Sequence, residues 1–154
     1  MSETNELARN VEDELRRLSF EVRILDETAQ ALQSRMNMVN AVIADLAYAA
    51  STLEGLEKNV EGSELLVPVG GSSYIRARLQ DADKVIVGVG ARVSVEKSIT
   101  EAKEIVKKRS EELGKTRTSL QQRFIQVAEK ANQDRAKFQE LANELGREQA
   151  SLNV

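Results

Sequence analysis

From Leu15 onward the apolar residues step by three and four without a break: Leu15, Leu18, Val22, Leu25, Ala29, Leu32, Met36, Val39, Ile43, Leu46, Ala50 and Leu53. Steps averaging three and a half residues hold side chains on one stripe of a helix. A stripe sustained beyond three or four heptads specifies a coiled coil. A first helix is therefore expected over residues 1–57. A helix of about 50 residues reaches roughly 75 Å at 1.5 Å per residue. Composition argues the same way: 31% of the 154 residues are charged, 3% are aromatic, and the one proline is Pro68. Long helices are permitted and a compact aromatic core is not.

The last third repeats the pattern through Ile99, Ala102, Val106, Arg109, Leu113, Thr116, Leu120, Phe124, Val127, Ala131, Asp134, Phe138, Leu141 and Leu145. The extra step of four between Leu120 and Phe124 is a stutter, which locally unwinds a supercoil. Ser98-Ile99-Thr100-Glu101 has the S-x-x-E form of a capping box, so a second helix is expected over residues 98–154. Residues 1–57 carry a net charge of −6 and residues 98–154 one of +2. Opposite signs favour antiparallel pairing of the two helices within one chain.

Between the helices, over residues 64–96, the period drops to two. Leu65, Val67 and Val69 alternate up to the turn Gly70-Gly71-Ser72-Ser73, and Ile75, Ala77 and Leu79 alternate after it. Asp81-Ala82-Asp83 turns the chain again. Val85, Val87 and Val89 then line one face while Ile86, Gly88 and Gly90 line the other, and Ala91, Val93 and Val95 alternate with Arg92, Ser94 and Glu96. Two β-hairpins are expected. Gly88-Val89-Gly90 invites comparison with a dinucleotide loop, but the third glycine position holds Val93 and a strand, not a helix, follows. The glycines read as shaping a sheet, through bending or close backbone approach. Each helix has one apolar seam and spends it on the other. The strand at Val85, Val87 and Val89 is therefore expected to be covered by the same sheet from other subunits, closing into an oligomeric barrel.

Several function classes are excluded by what the chain lacks. It has no cysteine and no histidine, which removes disulfides, thiolate nucleophiles and the commonest general base and metal ligand. A reducing, cytoplasmic setting is expected, with no leader and no membrane span in the sequence. The net charge of −3 does not suit nucleic acid, and Lys107-Lys108-Arg109, the one basic cluster, reads as a solvated helix side. No enzyme constellation, metal site or cofactor site is expected.

With the order helix, two hairpins, helix in place, the stretch ELLVPVGGSSYIRARLQDADKVIVGVGARVSVEKSITEAKEIV resembles the prefoldin alpha-subunit family, especially its archaeal members. The resemblance is sharpest from Glu64 to Val106; over the helices it rests on length and heptads. Arg92 departs from the small residue usual there. The resemblance implies one prefoldin-like domain, mainly α with a small β region. It implies a hexamer of two alpha and four beta subunits whose hairpins form barrels and whose coiled coils project. It also implies capture of unfolded proteins without ATP and their delivery to a group II chaperonin.

Candidate residues follow from that reading. Leu65, Val67, Val69, Ile75, Leu79, Val85, Val87, Gly88, Val89 and Gly90 form the expected assembly sheet. Pairing Glu57 with Ser98 brings Leu7, Val11, Leu15 and Phe20 near Phe138, Leu141, Leu145 and Leu152 as the expected client-binding tip. Continuation of the seam also accounts for Val11, Leu15 and Leu18. Phe20, two positions past Leu18, falls outside the seam and faces solvent or a client. The other reading is a coiled-coil adaptor or spacer that binds one folded partner.

Overall fold

A computed structural model of the chain describes residues 2–90 and 92–152, with side-chain surroundings for 9–90, 92–147 and 150. Helix α1 runs Ser2–Leu56, strands β1 to β4 run Glu64–Gly70, Ser73–Arg78, Lys84–Gly90 and Val93–Ser98, and helix α2 runs Ile99–Leu152. The order is helix, two hairpins, helix, as the change of period predicts. Each hairpin is a separate antiparallel two-stranded sheet, β1 with β2 and β3 with β4.

The chain forms two compact units, Met1–Met38 with Thr116–Val154, and Val39–Lys115. In the first, Leu18, Leu32, Met36, Leu120 and Ala131 are buried along the α1–α2 seam. Ion pairs join the helices antiparallel beside it: Lys137 to Glu14 at 2.7 Å, Lys130 to Glu21 at 3.4 Å, and Arg135 to Asp26. In the second unit Lys103 meets Glu57 at 2.8 Å. Every one of these pairs takes its acid from residues 1–57 and its base from α2, the polarity expected from the segment charges. Exposed pairs add little stability, but a wrong pairing would set like charges together.

All the α1 seam positions from Leu15 to Leu53 are buried or half-buried. On α2 two positions differ: Thr116 and Phe138 are exposed. Thr116 stands just before the four-residue step, where the stripe is displaced around the helix and a short polar side chain costs nothing in packing. Arg109 is half-buried, unlike the exposed Lys107 and Lys108. The basic cluster is therefore not uniformly a solvated side.

The start of α2 is built as its sequence predicts. The Ser98 N–H donates to Glu101 Oε2 at 3.1 Å, and the Glu101 N–H donates to Ser98 Oγ at 3.2 Å. These reciprocal bonds satisfy two backbone donors that the first helical turn leaves free. The backbone N–H of Ser98 beside the Glu101 carboxyl, with Lys97 as a second influence, holds its pKa below the ordinary 4.5.

The hairpin ends depart from simple alternation. Gly71 and Ser72 have φ of 55° and 59°, the paired positive values of a type I′ turn, whose twist matches that of the strands. Arg92, expected on a strand, lies in the second turn with φ of 62°, after Gly90 at 108°. A short connection needs left-handed backbone, and here an arginine supplies part of it. Leu79, expected on a strand, lies just past β2. Its N–H donates to Ser63 O at 2.9 Å, and its carbonyl accepts from the Gly62 N–H at 2.7 Å.

Candidate functional site

The second hairpin sits on its own helices. Val85 and Val87 pack, half-buried, against a buried cluster of Leu53, Ala102 and Val106, joined by Leu46, Ala49 and Ala50. This corrects the expectation that neither helix could cover that strand and that Val85 and Val87 await another subunit. The reason lies in residue size: Ala49, Ala50 and Ala102 leave a surface shallow enough to receive a strand beside the seam. The face left open is the alternate one, where Ile86 is 78% exposed, and Val89 and Val93 are open near the turn.

The first hairpin is open on both faces. Leu66 and Tyr74 are exposed on one face, Val67 and Ile75 on the other, and Val69 is exposed at the bulge. Leu65 is half-buried. Among the expected sheet residues, then, Val67, Val69, Ile75 and Val89 are exposed and available. Leu66, Tyr74, Ile86 and Val93 are exposed as well, although alternation does not mark them as assembly residues. A signal for Leu66 was present, since the run Leu65-Leu66-Val67-Pro68-Val69 is continuous rather than alternating, the mark of a strand covered on both faces. Exposed apolar strands with free edges invite pairing with another chain.

The glycine motif belongs to a hairpin. Between Gly88 and Gly90 the β3–β4 register slips, leaving Val89 as an extra residue. Gly90 needs its positive φ, but a Cβ on Gly88 would meet Ser94 Oγ at an ordinary 3.9 Å. Of the two expected roles, bending is seen at this bulge, while no backbone of the described residues approaches Gly88 closely. A phosphate loop opens a helix, whereas this one joins two strands, and α2 starts only at Ile99. Arg109 Nη2 donates to Gly88 O at 2.6 Å.

In the unit that holds the chain ends, Phe20 is 57% exposed and its i+4 neighbour Ile24 is exposed too. The Arg23 guanidinium lies 5.3 Å from the Phe20 ring centroid, a cation–π contact at the surface. Phe138 is 36% exposed. With Val22, Ser19, Arg135 and Gln139 it lines a shallow groove of about 260 Å³ that does not include Phe20. Val11, Leu15, Leu141 and Leu145 are half-buried, as a continuing seam requires, and Leu18 is 1% exposed. The side chains of Leu7 and Leu152 lie outside the described residues. Ile24 was missed because heptad reading follows only the buried stripe.

A carboxyl group also stands in this seam. Asp134 is buried, its Oδ1 accepts from Lys130, and its Oδ2 has no hydrogen-bond partner among the described residues. Contact with Asp134 raises the Lys130 pKa above the ordinary 10.5. Hydrogen bonds from Lys137 and then Arg17 lower that of Glu14 below 4.5. Among the described residues no three potential ligands gather to hold a metal, and no helix is long and apolar enough to cross a membrane.

Known proteins share this arrangement. A family model described as "Prefoldin subunit" matches residues 25–144. A "Prefoldin subunit alpha" of Methanococcoides burtonii is 35% identical over 130 residues, covering 84% of this chain and 90% of that protein. One of Pyrococcus horikoshii is 34% identical over 128 residues, covering 78% and 86%. Among solved structures, the cryo-EM structure of filamentous PFD from Methanocaldococcus jannaschii matches with a TM-score of 0.66 at 28% identity, covering 77% of this chain and 98% of that one.

Proposed function

Because the chain belongs to the prefoldin family, whose members are chaperone subunits, we propose that it is an alpha subunit that captures unfolded proteins at the ends of its coiled coil and passes them to a group II chaperonin. It works in the cytoplasm, without nucleotide, as one of two alpha subunits joined to four beta subunits. The observation that carries the reading is the division of exposed apolar surface. One share lies on the hairpins, where strands can join strands. The other lies at Phe20, Ile24 and Phe138, in the unit that holds both chain ends. Apolar groups exposed on helix surfaces bind scattered apolar groups of an unfolded chain with little regard to sequence, and stability falls toward helix ends, which lets such a surface adapt.

Deleting residues 1–24 together with 138–154 removes Phe20, Ile24 and Phe138 and leaves the hairpins and the seam from Leu25 onward in place. The truncated chain is expected to assemble with the subunits that co-purify with the full-length chain, and to lose protection of a denatured test protein against aggregation. Full protection by the truncated form would move client binding away from the ends. Binding of a single folded partner, with no protection of denatured proteins by the intact assembly, would favour an adaptor.

A further inference from the structure

Arg109 occupies a seam position of α2, where the heptad pattern calls for an apolar side chain, and it is half-buried there. Its guanidinium stays within reach of water, and a charge-assisted hydrogen bond from it adds geometric specificity. The partner it finds is a backbone carbonyl, that of Gly88 in β3, at 2.6 Å. Gly88 is the last residue before the β3–β4 register slips, and Gly90 follows with a φ of 108°. Two glycines within three residues, with a bulge between them, make this the most pliable backbone of the hairpin. Val85 and Val87 fix the earlier part of β3 to the helices. The bond at Gly88 extends that hold to the edge of the pliable part.

We infer that Arg109 is a positioning residue that sets the pose of the β3–β4 hairpin end, and with it the direction in which Ile86, Val89 and Val93 meet a neighbouring subunit. The inference rests on the reading of the hairpins as assembly elements. It is specific to the second hairpin: among the described residues, none from β1 or β2 joins the cluster of Leu53, Ala102 and Val106.

Arg109→Leu separates positioning from general stability, because leucine suits a heptad seam better than arginine does. The variant is expected to keep its helix content and its melting temperature, or to melt higher. Amides of residues 88–94 should exchange with deuterium about tenfold faster, and assembly should need about tenfold more protein, the loss of one charge-assisted hydrogen bond. Sedimentation velocity on the chain alone, and mixed with the subunits that co-purify with it, reads the assembly. Arg109→Lys, which can reach the same carbonyl with one donor, should recover part of both effects. Wild-type exchange or wild-type assembly in Arg109→Leu, or no recovery in Arg109→Lys, overturns the inference. Ile86→Lys serves as the control: if it assembles normally, the hairpin reading itself fails, whereas its failure beside normal assembly of Arg109→Leu overturns the role of Arg109 alone.

Discussion

Phe20 shows how one residue escapes a periodic pattern. Following Leu18 by two positions turns it about 200° around the helix at 3.6 residues per turn, so it cannot share the seam that buries Leu18. Ile24, one turn later, falls beside it, and Arg23 lays its guanidinium against the ring. Replacing Phe20 with serine removes apolar surface that packs on no core. Stability should change by no more than about 0.5 kcal/mol, while suppression of aggregation of a denatured protein should weaken. A marked fall in melting temperature would return Phe20 to packing. Val87 is the contrasting case. It is half-buried on the chain's own helices, so Val87→Lys should lower the melting temperature of the isolated chain as well as disturb assembly, by setting an unpaired charge against apolar side chains.

At the scale of elements, the joint between β4 and α2 depends on Ser98. Ser98→Ala removes a cap and is expected to cost about 1 kcal/mol of unfolding free energy; Ser98→Thr keeps the hydroxyl and should cost much less. Denaturant unfolding of both variants compares them. This joint was legible in the sequence because a capping box is local chemistry, complete within four residues. The helices and the existence of both hairpins were legible too, since period alone separates a heptad from a strand. What periodicity cannot show is which face of a strand meets which neighbour. Helices reduced to lines with a single seam each leave Val85 and Val87 to other subunits. The alanines at 49, 50 and 102 widen that line into a platform, a property of three-dimensional side-chain volume. Arg92 looks like a strand residue for a similar reason: alternation continues in sequence through a turn that only the positive φ values reveal.

For the whole molecule, the lack of histidine and the directions of the shifted groups define a pH response. Glu14 and Glu101 have pKa values held below the ordinary 4.5. Their contribution is present above that value and is lost as pH falls through the lowered ones. Lys84, Lys103 and Lys130 are raised above 10.5, chiefly by Glu96, Glu57 and Asp134 respectively. Their contribution is complete below 10.5 and disappears as pH rises through the raised values. The melting temperature should therefore be flat from about pH 5.5 to 9 and fall on either side. A step near pH 6 to 7 would contradict this account. The two ends of the hairpin region also differ as mechanical joints. At α2 the last residue of β4 is itself the cap of the helix, and the Ile99 N–H bonds back to Asp83 O at 3.1 Å just ahead of β3. At α1 the chain passes through residues 57–63 before β1 begins. One junction is direct and the other is a bonded turn. A pull on α2 is transmitted directly into the β3–β4 hairpin and whatever that hairpin grips, whereas a pull on α1 must first open the turns closed by the bonds from the Lys58 N–H to Gly55 O and from the Ser63 N–H to Val60 O.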